Sequence, residues 1–486
     1  MSGNSGDLTE EQITAVCSPA RRAYIEAAPG SGKTTVAAMR FGLHRFTGTA
    51  DGTVIGLSFT RSAANELRQR IRLKWGGRAL TRPHRVMTFD TLLERVLGHL
   101  LELGLVQWPG GLTAITVHDT WKGKAEHRWG ERRPFLALDG RDVVVRMRSA
   151  RQDSHVRHDA FVARVNEGEC THDDVRAVLE AALDRDEARN AVARLLGESI
   201  GALVVDEIFD ANRLDLRLVE LACLQDIRVT IIGDPWQALY GFRGADPNLV
   251  PGLVAGQGFA KLPLTRSFRF STVESRMLST ELRQGRTVRL SAQAFTRPDI
   301  VLAGTWDQLW ECPHTVLPLS FGMPDTTNAA AILLLLDRLT TMALGEHAVF
   351  LSDALGTLEL DEDTLDRLAG PLSEVLESMR GTGDIDACYQ RLIRAVGVAT
   401  KRPFKRKHRT HIRKLEGMHA RLLADRQGFI PGLTIHQAKG REWNDVGVRL
   451  TDNEAALLEA GLSSEHESHR RLYVALTRGR RATTIF

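Results

Sequence analysis

The chain has 486 residues, 43% hydrophobic and 26% charged, with a formal net charge of +4. That is an ordinary soluble composition with room for roughly two to four domains, and its mild charge permits nucleic-acid binding without requiring it. No unbroken apolar run approaches the roughly 20 residues of a membrane helix, the polar, acidic start is unlike a secretory signal, and the scattered Cys17, Cys170, Cys223, Cys312 and Cys388 form neither a zinc knuckle nor a disulfide framework, so a reducing cytoplasm fits best.

In chain order, an apolar strand from Tyr24 runs into a glycine loop and then a helix from Thr34. A second buried strand spans Val54 to Phe59, and a helix with apolar spacing runs from Ala63 towards Leu73. From the VVRM segment near residue 145 to about residue 198 the pattern is charged and mostly helical. Strands at Leu203 to Glu207 and Val229 to Asp234 both end in acids. Strands alternating with helices predict an α/β fold with a parallel sheet covered on both faces. Its chemistry is expected at the carboxyl ends of the strands. Later apolar segments near residues 350 and 435 and at the terminus predict strands of a second α/β lobe, and 356–425 reads as charged and helical.

Ala27-Ala-Pro-Gly30-Ser-Gly32-Lys33-Thr34 fits the phosphate-loop pattern, with Ala27 where glycine is commoner. Gly30 and Gly32 let backbone N–H groups face phosphate oxygens. Lys33 would reach the β- and γ-phosphates and the Thr34 hydroxyl would help hold Mg²⁺. Asp206 and Glu207 end a strand as a Walker B element does. Asp206 would hold Mg²⁺ through water, and Glu207 would orient and deprotonate the attacking water. Taken alone, the two acids could instead cap the next helix; their pairing with the phosphate loop argues against that.

Together these segments resemble the UvrD/Rep/PcrA group of superfamily 1A helicases, in that family's order over nearly the whole chain. Leu8 to Gln12 is similar to the Q motif, Leu57 to Leu67 to motif Ia and Thr88 to Thr91 to motif Ib. Asp206 to Asp210 is similar to motif II, Gly233 to Ala245 to motif III and Leu264 to Arg269 to motif IV. Thr434 to Trp443 is similar to motif V, and Arg470 to Arg478 to motif VI. The resemblance implies two RecA-like parallel-sheet lobes of the P-loop NTPase class with helical insertions. Lobe 1A would comprise 1–93 and 199–263, around a 1B-like helical insertion at 94–198. Lobe 2A would comprise 264–355 and 426–486, around a reduced 2B-like insertion at 356–425.

The implied catalytic set is Lys33, Asp206, Glu207, Gln237 as γ-phosphate sensor, and Arg269 with the arginine finger Arg478, both reaching the phosphate as the lobes close. Implied ATP contacts are Gln12 on adenine, the loop residues Ala28, Gly30, Ser31, Gly32, Lys33, Thr34 and Thr35, then Phe268 stacking on adenine, and Glu442. Thr34 and Asp206 would hold Mg²⁺. DNA contacts are implied at Phe59, Thr60, Thr88, Phe89, Tyr240, Phe242, Arg243 and His436. The basic run from Lys401 to Arg409, with Lys405 and Arg406 at its centre, adds a strip that neutralises phosphates or, alternatively, a solvated face. Asp90, Phe209, Ser267, Phe242 and Arg441 depart from the family's commoner His, Gln, Asn, Trp and Leu, and none removes a catalytic group.

Three readings follow. The first is an ATP-driven helicase or single-strand translocase, 3′-to-5′ by resemblance, in repair or phage defence. The second is a DNA-sensing regulatory ATPase beside a partner nuclease, as in the compact helicase subunits of Gabija-type systems. A small-molecule phosphate-loop kinase would need none of motifs Ia, III, V or VI.

Overall fold

The structure, a computed structural model, describes residues 8–48, 52–121, 125–126, 132–149, 154–239, 241, 244–290, 297–424 and 428–486. The chain divides into two units, Met1–Arg269 and Phe270–Phe486.

The first unit is built on six parallel strands: β1 Arg22–Ala27, β2 Thr53–Ser58, β3 Arg85–Thr88, β4 Ile200–Val205, β5 Arg228–Gly233 and β6 Ala260–Leu264, in the order β6-β1-β5-β4-β2-β3. Every residue of β2 and β4 is buried. Strands covered on both faces read as such continuous apolar runs. Helices α1 Glu10–Cys17, α2 Lys33–Phe46, α3 Arg61–Trp75 and α4 Phe89–Glu102 belong to this unit. Helix α4 buries Leu92, Leu93, Val96, Leu97, Leu100 and Leu101, the stripe of an amphipathic helix.

Between α4 and β4 the insertion is only partly helical. Helices His158–Asn166, α5 (His172–Ala182) and Asp186–Ser199 accompany an antiparallel hairpin, Arg132–Asp139 with Asp142–Ser149. The VVRM segment lies in that hairpin rather than in a helix. Its β-branched valines follow a Gly140-Arg141 turn in which Gly140 has φ 59°, chemistry that favours a tight hairpin over a helix. Helix α6, Arg213–Cys223, follows β4.

The second unit carries five parallel strands: β7 Ile300–Ala303, β8 Val316–Pro318, β9 Ile430–Thr434, β10 Trp443–Val448 and β11 Gly479–Ile485, in the order β8-β9-β7-β10-β11. The strand expected near residue 350 is absent. Its apolar residues open helix α8, Leu351–Leu358, where Ala354, Leu355 and Leu358 recur at helical spacing and are buried. Helix α7, Thr327–Leu344, is long and apolar enough to cross a membrane by length and composition, at a mean hydropathy of 1.3, but 72% of it is buried. It packs with α8 and with α9 Glu362–Thr382, α10 Ile385–Ala399 and α11 Arg409–Ala424 in one apolar cluster that also contains Leu317 of β8. Helix α12, Glu467–Leu476, precedes β11.

Candidate nucleotide and nucleic-acid sites

The loop between β1 and α2 passes twice through left-handed backbone, at Gly30 (φ 69°) and Gly32 (φ 85°). Neither position has room for a side chain. A Cβ on Gly30 would overlap that of Arg269, and one on Gly32 would sit 2.7 Å from the Gln12 amide nitrogen. Ala28 ties the loop to the sheet, its N–H donating to the Leu264 carbonyl at 2.8 Å. Ser31 is 1% exposed, and its hydroxyl has no hydrogen-bond partner among the described residues. A buried orphan hydroxyl in a glycine loop at a helix N-terminus suits an anion. Thr35 accepts from Arg70 Nη1 at 3.0 Å.

Gln12 braces this loop from within. Its Oε1 accepts from the Thr9 N–H at 3.0 Å, closing a capping box on α1, and its Nε2 donates to the Ser31 carbonyl at 2.9 Å. Both ends of the amide that the resemblance assigns to adenine are thus engaged inside the protein. Arg40 of α2, 1% exposed, holds the far end of α1 by donating to the Ala15 and Val16 carbonyls at 2.7 and 3.1 Å.

The acids meet the loop from the next strand but one. Asp206 is 3% exposed and lies close enough to the Thr34 hydroxyl for it to favour the ionised carboxylate. Burial and then the adjacent Glu207 charge push the Asp206 carboxyl up, against the pull of Lys33 and Thr34. A desolvated carboxylate beside a hydroxyl is an oxygen donor pair suited to a hard divalent cation, so these residues fit Mg²⁺. Glu207 Oε1 lies 3.3 Å from Lys33 Nζ. Glu207 itself adopts φ 60° and ψ 44°, a region non-glycine residues rarely occupy. Just past the end of β5, the strand between the two, Asp234 is 1% exposed and accepts from Gln237 Nε2 at 2.7 Å, which orients that amide. Phe209 is 4% exposed, edge-on to Tyr24 of β1 at 6.3 Å and packed against Gly233. Its departure from the family's polar residue is therefore a core packing choice.

Residues 264–269 correct an expectation. The resemblance places them in the second lobe, but they belong to the first unit, which extends to Arg269. Register decides this: Leu264 of β6 pairs with Ala27 of β1, so the residues that follow must cross the phosphate loop. Ser267 Oγ donates to the Pro29 carbonyl at 2.6 Å and the Phe268 N–H to the Gly30 carbonyl at 2.9 Å. Glu11 of α1 accepts from the Thr265 N–H at 2.7 Å and its hydroxyl at 2.6 Å. Desolvation raises the Glu11 carboxyl, and the hydrogen bonds from Thr265 and Arg266 outweigh it, leaving a net lowering. Arg269 therefore lies beside Gly30 without any movement of a second lobe. Phe268 is 53% exposed, with the Arg266 guanidinium 5.3 Å from its ring centre.

The sequence that builds this arrangement is similar to that of known proteins. Residues 10–243 match the family model described as AAA domain. The chain carries a phosphate-loop domain of the AAA type. It is 38% identical over 72 residues to the ATP-dependent DNA helicase srs2 of Schizosaccharomyces pombe, covering 15% of this chain and 8% of that protein. It is 22% identical over 311 residues to DNA helicase II of Haemophilus influenzae, covering 60% of this chain and 42% of that protein. The chain thus spans less than half the length of these relatives.

Among the residues assigned to DNA, Tyr240, Phe242 and Arg243 lie outside the described residues. Phe89 is 1% exposed, its ring stacked on Phe59 at 4.8 Å. It supports half-buried Phe59 from the core and presents no ring face of its own. Thr60 and Thr88 cap α3 and α4, accepting from the Ala63 N–H at 3.1 Å and the Thr91 N–H at 3.3 Å.

Asp90, where the family commonly has histidine, holds the insertion instead. Arg176 of α5 donates to Asp90 Oδ1 at 2.8 and 3.0 Å and to Asp215 Oδ1 of α6 at 2.9 Å. Burial lowers the Arg176 pKa, but the two carboxylates raise it more. The Asp215 side chain is only 2% exposed. Arg176→Ala would strand that carboxylate. A loss of about 3–5 kcal/mol in unfolding free energy is expected, read by urea denaturation. A loss below about 1 kcal/mol, the scale of a surface pair, would mean the triad does not hold the insertion.

In the second unit Arg478 is fully buried, its Nε donating to the Val474 carbonyl at 3.0 Å and Nη1 to the Arg441 carbonyl at 3.4 Å. Glu442 accepts from Arg480 Nε at 3.1 Å. His436 is half-buried on the short helix Ile435–Ala438 after β9. Lys405 and Arg406 are exposed. Sequence reasoning missed Glu11, Arg40 and Arg176. None carried a legible signal: the capping pattern at Thr9 and Gln12 marks the helix start but says nothing of Glu11, whose partner Thr265 is remote in sequence.

Proposed function

We propose that this chain is an ATP-hydrolysing DNA motor of the UvrD-like kind, a helicase or single-strand translocase. The observation that carries the reading is the meeting of Lys33 with Glu207 and of Thr34 with Asp206 at the carboxyl edge of one sheet. The two relatives named as DNA helicases supply the substrate class. Gly30, Ser31 and Gly32 would present N–H groups to the phosphates of ATP, and Lys33 would neutralise them. Thr34 and Asp206 would hold Mg²⁺, which when bound offsets phosphate charge in the transition state. Lys33 drawn to phosphate releases Glu207, whose carboxylate accepts the proton of the attacking water. Gln237, held by Asp234, and Arg269, lying against the loop, would respond to the γ-phosphate. Phe268 would offer its exposed face to the base, and Arg478 would act as the arginine finger that the resemblance implies. Phe59, Thr60, Thr88, His436, Lys405 and Arg406 would contact DNA, together with Tyr240, Phe242 and Arg243. The 3′-to-5′ direction, a role in repair or defence and a cytoplasmic setting belong to the same proposal.

A second reading, a DNA-sensing ATPase beside a partner nuclease, draws on one observation: α9 to α11 share an apolar cluster with β8 rather than forming a core of their own. ATP turnover measured with and without single-stranded DNA tests the common part. Turnover that ignores DNA would sink both readings. Turnover stimulated by DNA without processive strand displacement, whether or not a nuclease partner is added, would favour the second.

A further inference from the structure

Between Asp386 and Glu416 the chain carries ten Lys or Arg and no carboxylate. Within this stretch residues 400–408 form neither helix nor strand. A flexible loop of that charge would spread by self-repulsion, yet its backbone is held from beneath by the first residues of α7. Thr327 Oγ1 donates to the Pro403 carbonyl at 2.9 Å. Asn328 takes both backbone groups of Lys405: its Oδ1 accepts the Lys405 N–H at 2.9 Å, and its Nδ2 donates to the Lys405 carbonyl at 3.2 Å. The same Nδ2 donates to the Tyr389 hydroxyl at 2.7 Å. Asn328 is 0% exposed, in a helix whose buried positions are otherwise mostly Ala, Ile and Leu. A buried amide destabilises unless fully bonded, and here two of its three bonds fall on one loop residue, Lys405. Above this clamp Lys401, Lys405, Arg406, Lys407 and Arg409 are exposed. Lys407 pairs with Asp386 at 2.6 Å.

We propose that Asn328, with Thr327 and Tyr389, holds the basic loop 401–409 as a preformed surface for the phosphate backbone of nucleic acid. The inference rests on reading the run as a nucleic-acid contact. It adds that the cations are set in place before binding, so less ordering entropy is lost on association. Asn328 is a positioning residue, acting through the backbone of Lys405.

The full-length chain and a DNA duplex with a single-stranded tail, titrated by fluorescence anisotropy at several salt concentrations, provide the test. Asn328→Ala keeps every charge. Affinity should fall about tenfold, the scale of one residue's backbone freedom, while the slope of log K against log salt stays unchanged. Neutralising Lys405, Arg406, Lys407 and Arg409 together should instead flatten that slope by about 0.7–0.9 per lost phosphate contact. The milder double variant Thr327→Val with Tyr389→Phe should weaken binding in the same direction, and it decides the matter if Asn328→Ala does not fold. Wild-type affinity in the clamp variants, with binding lost in the neutralised one, overturns the proposal and leaves the nucleic-acid reading standing. A flattened slope in Asn328→Ala also overturns it, since contacts rather than order would have been lost. Unchanged DNA binding in every variant overturns both.

Discussion

Glu207→Gln should leave ATP binding nearly unchanged and cut DNA-stimulated hydrolysis by roughly 10²–10⁴, the usual worth of general base catalysis. The amide cannot accept the water's proton, but it preserves size and the left-handed backbone at this position. The 3.3 Å pair with Lys33 sharpens the expectation. Losing that carboxylate removes Lys33's competing partner, so affinity for ATP should hold or rise. Lys33→Ala should behave oppositely, losing binding together with turnover, because the phosphate charge is no longer neutralised. Equilibrium binding of a fluorescent ATP analogue, set beside steady-state hydrolysis, separates the two. Equal loss of binding in both variants would contradict the roles given to them.

Arg478→Ala should spare ATP binding far more than turnover, with hydrolysis reduced on the order of 10² or more. A guanidinium is most valuable where charge builds up in the transition state. Because Arg478 is buried and donates to the Val474 and Arg441 carbonyls, truncation also removes packing around α12. Arg478→Lys guards against that ambiguity: it keeps charge and most of the volume but loses the planar fork. Thermal melting of both variants should show folded protein, with turnover low in each. Near wild-type hydrolysis in either would remove Arg478 from the site.

Much of the candidate nucleotide site could be located in the sequence because its residues are local. The phosphate loop sits within eight residues, and strand and helix flank it as the motif needs. Placement was harder wherever long-range register decides it. Nothing near Leu264 announces that it pairs with Ala27, so residues 264–269 read as the start of a second lobe although they lie over the first unit's loop. Phe89 sits in a motif tied to DNA, yet burial against Phe59 makes it a core residue, and single-sequence patterning cannot separate those fates at a helix start. Asp90 looked like a weakened contact. Its true partner, Arg176, lies 86 residues away in a segment read without side-chain pairing. The valine hairpin was hidden by its charged neighbours, and the segment near residue 350 by an apolar run too short to tell strand from helix.

Helix α7 has a mechanical consequence. It is apolar almost all round, lying with α8 to α11 in the cluster that reaches β8 of the second sheet. Cutting away 356–425 would not liberate a trimmed lobe; it would bare a long greasy rod and invite aggregation. The bundle and its sheet should therefore melt in a single transition and share one hydrogen-exchange profile, with slow amides on both sides of α7. What looks in sequence like an accessory inserted into a lobe is physically that lobe's own interior wall. Shear within the second unit would have to deform a close-packed core, which such cores resist, so force reaching the basic loop passes into the sheet with little lost to bending.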